Sequence, residues 1–337
     1  MIKFSIIIPC RSITDFLKES IPYLKKLNYK QYEILIVLDN DDAYDFRDNR
    51  FKVLVSGPVG PAEKRNLAVS KATGDILAFL DDDAFPTENW LDKAAEYFND
   101  PSVYALGGPA MTPGNAGFLE LVSGLILESC ISSGNTVYRH LPKKARKISD
   151  YPTVNLFVRR KIFIDVKGFN TDFWPGEDTK LCLDLVKKMG GPFVYAPNVL
   201  VYHHRRDVFI PHLKQVSRYG KHRGQFAKIY PETSRLPFYF VPSMFVVFLV
   251  LGGILSVLFK QYFWGYLGVI SLYVCITLLE SIKAYTKSKK ILVVPYFVLG
   301  VFLTHLVYGI NFIIGYLVRP ELKLKRYNEK TGNYMEG

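Results

Sequence analysis

Cysteine is scarce in this chain. Cys10, Cys130, Cys182 and Cys275 are scattered over 337 residues, and no pair has the short spacing of a zinc site or a redox motif. That excludes a disulfide framework and a cysteine-built metal centre, and leaves four reduced thiols in structural roles. No secretory leader is expected either: "MIKFSIIIPC" offers only a short apolar run closed by Pro9. The first part of the chain is therefore expected in the cytosol. There is no internal repeat and no low-complexity tract. Ionisable residues are rare in the long apolar stretches near the carboxyl end, where Glu280 and His305 are the clear ones.

Apolar residues and positive charge are plentiful. Hydrophobic residues make up 49% of the chain and the formal net charge is +12. Such basicity suits either nucleic acid or an anionic membrane surface. The apolar distribution decides for the membrane, and no nucleic-acid partner is expected. Phe238–Phe259 and Tyr262–Ile282 are each long enough to span a bilayer, and Ile291–Val318 is longer still. The basic segment 207–236 just before them reads as interfacial helices. The expected organisation is a cytosolic domain over 1–205, interfacial helices over 206–236, a transmembrane region over 237–318 and a basic polar tail over 319–337. This places the protein in the cell membrane as a multi-pass chain.

The first 205 residues alternate strand and helix patterns. "FSIIIP", "YEILIVLD", "FKVLVS" and "DILAFL" are short and β-branched or apolar without alternation, as in parallel strands buried on both faces. Helical spacing follows the first strand, with Pro22 as a kink. "AEKRNLAVSKATG" reads as a helix stopped by Gly74, and "TENWLDKAAEYF" as one capped by Thr87. "GEDTKLCLDLVKKMG" is a helix with Leu181, Leu185 and Met189 on one face and Gly190 as its stop. "FLELVSGLILESC" fits a core helix or an interfacial one equally well. The predicted class is α/β, an open and mostly parallel doubly wound sheet followed by an all-α membrane region. In such sheets ligands bind at the carboxyl ends of the strands. Asp39 and Asp81–Asp83 stand at that edge.

A carboxylate cluster at a strand end suits a divalent cation with oxygen ligands, and that cation suits a diphosphate. The other reading is a solvated acidic loop. The surrounding motifs favour the first. Over roughly residues 3–205 the sequence resembles the family 2 inverting glycosyltransferases of the GT-A fold. "SIIIP", "ILIVLDN", "GPVGPAEKRN", "FLDDDAFPTENWL", "NLFVRR" and "WPGEDTKLCLDL" occur in that family's order. Three departures stand out. Asp39 is single, followed by Asn40; Asp184 stands where the family often has Arg; and "QVSRY" carries Tyr219 where processive synthases have Trp.

The resemblance implies roles. Pro9, Arg11, Asp39, Arg65, Asp81 and Asp82 would bind the nucleotide-sugar donor. Asp83 and His203 would hold Mn²⁺ or Mg²⁺, His203 being preferred over His204 because adjacent strand residues face opposite ways. Asp178 would be the general base, at a helix start whose dipole favours the carboxylate. Glu177, Trp174, Asn155, Gln215, Arg218 and Tyr219 would bind the acceptor. Arg205 and Arg206 suit a diphosphate, a lipid phosphate or simply a solvated strand end. The expected activity is transfer of a sugar, most simply from a UDP-linked donor, to a lipid-linked glycan. Polyprenyl phosphate as acceptor, a processive synthase, and a membrane scaffold or transporter with an inactive domain are the alternatives.

Overall fold

The computed structural model describes residues 1–171 and 173–318, with the backbone of 327–328 and 333–334. Most of the expected tail lies outside the described residues. The chain forms two compact units. The first holds Met1–Pro113 and Leu141–His204; the second holds Gly114–His140 and residues 205–318. The segment 114–140, read as part of the transferase-like domain, thus packs with the helical unit.

The first unit opens with β1 (Phe4–Pro9), α1 (Asp15–Lys25), β2 (Tyr32–Leu38), β3 (Phe51–Val55), α2 (Pro61–Lys71) and β4 (Ile76–Leu80). Every residue of β1, β2 and β4 is buried, which is why these strands show no alternation. Thr14 caps α1, its hydroxyl accepting from the Leu17 N–H at 3.1 Å, and Pro22 is accommodated inside the helix. α2 ends at Lys71, before Gly74. The cause is tertiary: the Thr73 N–H donates to Glu33 at 2.6 Å and the Gly74 N–H to the Ser5 hydroxyl at 2.9 Å, pulling the backbone out of the helix.

There follow β5 (Ala84–Pro86), α3 (Trp90–Phe98), β6 (Ala105–Gly107) and β7 (Ala110–Met111). α3 has Asn89 at its N-cap, not Thr87, whose hydroxyl instead meets the Leu200 carbonyl at 3.1 Å. The second unit then contributes α4 (Phe118–Glu128) and α5 (Cys130–Ser133). The first unit resumes with β8 (Arg146–Ile148), β9 (Asn155–Arg159), α6 (Arg160–Asp165), α7 (Glu177–Met189), β10 (Phe193–Tyr195) and β11 (Val201–His203). α7 stops at left-handed Gly190 as expected, burying Leu181 and Leu185, while Met189 stays exposed.

Among the described residues the main sheet has the order β3-β2-β1-β4-β9-β6-β10-β8, and a smaller one the order β5-β11-β7. β1 to β4 are mutually parallel; β9 runs antiparallel to both β4 and β6. β1 lies between β2 and β4, so the chain reverses its direction of travel across the sheet there. A crevice opens at the carboxyl ends of such strands.

The second unit continues with α8 (Ile210–Ile229), α9 (Pro231–Ser234), α10 (Pro237–Val247), α11 (Gly253–Leu258), α12 (Phe263–Ser288) and α13 (Val293–Val318). A π-helical turn over Phe248–Gly252 joins α10 to α11. Pro237–Leu258, Lys260–Ser288 and Val293–Val318 are long and apolar enough to cross a membrane. α4 is a core helix of this unit: Val122, Leu125 and Ile126 pack with Val208, Val293, Phe297 and Val301.

Candidate active site

The acidic run follows β4 directly. Asp81 accepts the Ala84 N–H through its carbonyl at 3.2 Å, closing a turn with Asp82 in its middle. β5 leaves that turn and pairs antiparallel with β11, in a register that sets His203 opposite Ala84. The His204 N–H then bonds the Asp83 carbonyl at 2.9 Å. This ladder delivers an imidazole to the aspartates: His203 Nε2 lies 3.0 Å from Asp83 Oδ1. One ligand atom each from Asp81, Asp83 and His203 falls within 4.8 Å of the others. Two carboxylates and an imidazole on so short a span fit a hard or borderline divalent cation. Asp83 is buried and Asp81 half-exposed, so the cluster faces outward through Asp81. His204 points the other way and bonds Glu19 at 2.9 Å, packed against Phe16 and Phe85. The strand's alternation thus sets His203 beside the aspartates and His204 against Glu19.

Arg65, on α2, ties this cluster to α7. Its guanidinium donates to Asp81 at 2.8 Å and to Glu177 at 3.3 Å, and lies over the Phe169 ring. The side chain is 4% exposed, so this is a buried cation between two carboxylates. Next to it Asn66 holds the loop before α7 by both edges, accepting from the Phe169 N–H and donating to its carbonyl, each at 3.0 Å.

Sequence reasoning passed over the residue before Arg65. Lys64 is buried and bonds both the Asp39 carboxylate and the Cys10 carbonyl. Its position in "AEKRNL", one step from Arg65, was the available signal. The Asp39 N–H in turn bonds the Arg11 carbonyl at 3.1 Å. Pro9 ends β1, buried, and Arg11 is exposed. Burial pushes the Cys10 thiol up to about 12, so it stays protonated and inert.

α7 presents the acidic pair. Gly176 holds the N-cap with φ of +126°, a conformation reserved for glycine, so Asp178 is not the cap. Asp178 lies within the first turn, half-exposed, its carboxylate accepting the Thr179 N–H at 2.7 Å. Glu177 is buried. Burial first, then the neighbouring Asp178 charge, push its carboxyl up to about 7 against the opposing pull of Arg65. Trp174 is half-buried in the loop before this helix.

The expectation for Asn155 needs correcting. It is fully buried, accepts from Trp90 Nε1 at 2.9 Å and donates to the carbonyls of Pro109 and Val199 at 3.2 and 2.8 Å. Its amide is used up in holding strands together, and no acceptor reaches it. Gln215, Arg218 and Tyr219 lie on α8 of the second unit, with Gln215 donating to the Tyr219 hydroxyl at 3.3 Å. Arg205 and Arg206 also belong to that unit, where the Arg205 N–H bonds Glu120 at 2.9 Å.

This arrangement can be compared with known proteins. Residues 5–167 match the model of glycosyl transferase family 2. Over that stretch, just under half of the chain, the sequence is similar to that family. Among curated proteins it is similar to a pre-mycofactocin glycosyltransferase of Mycobacterium tuberculosis, 30% identical over 51% of this chain and 36% of that protein. It thus spans about a third of that relative's length. Glycosyltransferase AglE of Haloferax volcanii is 28% identical over 64% of this chain and 71% of its own. Among solved structures, the mannosyltransferase PcManGT from Pyrobaculum calidifontis, determined with GDP-Man and Mn²⁺, shares the fold. Its TM-score is 0.56 at 15% identity, covering 95% of this chain and 88% of that one. The GT-A fold expected from the motifs is the one observed, and the aspartate motif sits at the switch-point crevice.

Proposed function

We propose that this chain is a membrane-anchored, cation-dependent inverting glycosyltransferase. The observation that carries the reading is the convergence of Asp81, Asp83 and His203 at the crevice, tied through Arg65 to the acidic start of α7. Asp83 and His203, with Asp81, would hold Mn²⁺ or Mg²⁺. The bound cation supplies neutralisation of the donor's diphosphate. Asp39, oriented by Lys64, would read the nucleobase, with Pro9, Arg11 and Asp82 completing the donor site. Asp178 would take the proton of an acceptor hydroxyl as its oxygen bonds the anomeric carbon and the bond to the nucleoside diphosphate breaks. Its half-exposed place on the helix start suits contact with an acceptor, whereas Glu177 is buried against Arg65 and suits positioning.

The apolar helices of the second unit favour a lipid-borne acceptor at the cytosolic face of the cell membrane, a lipid-linked glycan before polyprenyl phosphate. UDP-linked sugars are the first donors to test. GDP-linked ones come second, since the structural neighbour from Pyrobaculum calidifontis was determined with GDP-Man.

The test is a panel of nucleotide-sugars with Mn²⁺ and Mg²⁺, following nucleotide release in wild type and Asp178→Asn. General-base loss should lower kcat by about 10²–10⁴ while leaving donor affinity unchanged. Near wild-type turnover in Asp178→Asn at saturating substrates would transfer the role to Glu177.

A further inference from the structure

α13 has the length and apolarity of a span, yet its partners in the second unit do not permit that role. α8 runs beside it in the same direction. His212 Nε2 lies 3.0 Å from Thr304 Oγ1, and further along the Lys228 ammonium sits 5.3 Å from the Tyr316 ring. Between them the backbones nearly touch: a Cβ on Gly224 would fall 2.1 Å from the Phe312 carbonyl oxygen. From His212 to Lys228, α8 therefore tracks α13 for roughly 24 Å at a helical rise of about 1.5 Å per residue. Any path that takes α13 through hydrocarbon takes this stretch too, with Lys214, Arg218, Lys221, Arg223 and Lys228. Cations at that depth oppose insertion strongly.

The helix directions give an independent argument. α10 opposes α13: Phe240 meets Phe312 edge to face at 4.8 Å, Ser243 bonds the Gly309 carbonyl at 3.1 Å, and Phe245 lies 6.1 Å from His305. The α10–α11 run opposes α12, with Phe245 at 4.4 Å from Tyr273 and the Leu249 carbonyl accepting from Tyr266 at 3.3 Å. α12 opposes α13, with Tyr273 at 3.0 Å from His305 and a short link over 289–292. Three helices cannot all oppose one another along one axis, so they cannot all stand along the membrane normal. Burial singles out α13 as the one to lie off it. Of its span window 39% is buried within the protein, against 11% and 6% for the other two. α4 and α5 cover it as well, Ile126 lying against Gly300 and the Ile131 carbonyl 2.9 Å from His305 Nε2. Besides Pro295 near its start and Val318 at its end, α13 leaves exposed one apolar stripe: Leu299, Ile310, Ile314 and Leu317.

We propose that α13 is an in-plane membrane-docking helix and that α10–α11 and α12 alone cross the bilayer, as a hairpin. The stripe from Leu299 to Leu317 rests on lipid acyl chains, and α8 keeps its cations in the headgroup layer. The chain beyond Val318 then emerges on the side of α8. Both "KAYTKSKK" and the basic residues after Val318 fall on that one side, consistent with the charge rule for membrane topology. This inference is independent of the transferase reading.

The test is impermeant-maleimide labelling of the full chain in sealed membranes, from each face in turn, normalised to labelling in detergent. The parent carries Cys130→Ser and Cys275→Ala, and its residual label is subtracted. Single reporters are Lys214→Cys on α8, Tyr262→Cys between α11 and α12, and Lys325→Cys in the tail. Lys325→Cys should label from the same face as Lys214→Cys, and Tyr262→Cys from the opposite one. Protease removal of an epitope added after Gly337 should give the same face as Lys325→Cys. Labelling of Lys325→Cys from the face of Tyr262→Cys, or from both faces equally, overturns the proposal; so does labelling of Tyr262→Cys from the face of Lys214→Cys.

Discussion

Two buried carboxylates in the first unit are handled in opposite ways. Glu33, on β2, takes hydrogen bonds from Ser5, Lys52 and both the N–H and hydroxyl of Thr73. Burial alone would raise its carboxyl, but these donors win and hold it at about 2. A carboxyl lowered by folding stabilises the fold fully above its unfolded pKa and loses that contribution as pH falls through the folded one. Glu33→Gln should therefore cost about 2 kcal/mol near neutral pH, in line with a lost charged hydrogen-bond set. The deficit should shrink as pH drops from about 4.5 toward 2, the unfolded and folded values. Urea denaturation of both proteins across that range checks it, and a pH-independent deficit would contradict the assignment. Glu177 is the reverse case, raised by burial and dependent on Arg65. Arg65→Gln should destabilise the first unit by about 3 kcal/mol, because it strands buried charge. Glu177→Gln in the same chain should recover part of the loss, which thermal melts of the single and double variants will show.

At the scale of elements, the strands were legible because full burial on both faces leaves an unmistakable apolar run. The acidic turn was legible because three aspartates after such a run have few structural reasons to be there. What the sequence hid were pairings. Nothing local in "VLVYHHRR" says that β11 lies antiparallel to β5, yet that register brings His203 to Asp83. Asn155 misled for the same reason: its strand was recognisable, but the Trp90, Pro109 and Val199 groups that consume its amide come from distant segments. Thr87 and Gly74 were credible helix boundaries on local chemistry alone, and tertiary hydrogen bonds moved both. The α8–α13 contact is a further case, since its cause is absence of a side chain at Gly224. Gly224→Leu should force the helices apart and destabilise the second unit by about 1–3 kcal/mol or more, as overpacking does. Proteolysis kinetics in detergent will report it, with Gly265→Leu, which meets open space, as the control.

For the whole molecule, the sequence showed an α/β part and an apolar helical part, but not that 114–140 crosses from one to the other. Contacts between segments far apart in the chain decide that, and composition carries no trace of them. The central claim remains chemical: Asp81, Asp83 and His203 form one cation site that serves a nucleoside diphosphate. Mn²⁺ titration followed by the electron paramagnetic resonance signal of the free ion tests it most directly, in wild type, Asp83→Ala and His203→Ala, with and without UDP or GDP. Wild type should take up one Mn²⁺ per chain, more tightly when the matching nucleotide is present. Asp83→Ala should lose both the uptake and the nucleotide effect, and His203→Ala should weaken them. Equal Mn²⁺ uptake by wild type and Asp83→Ala, with the nucleotide effect intact, would contradict the account.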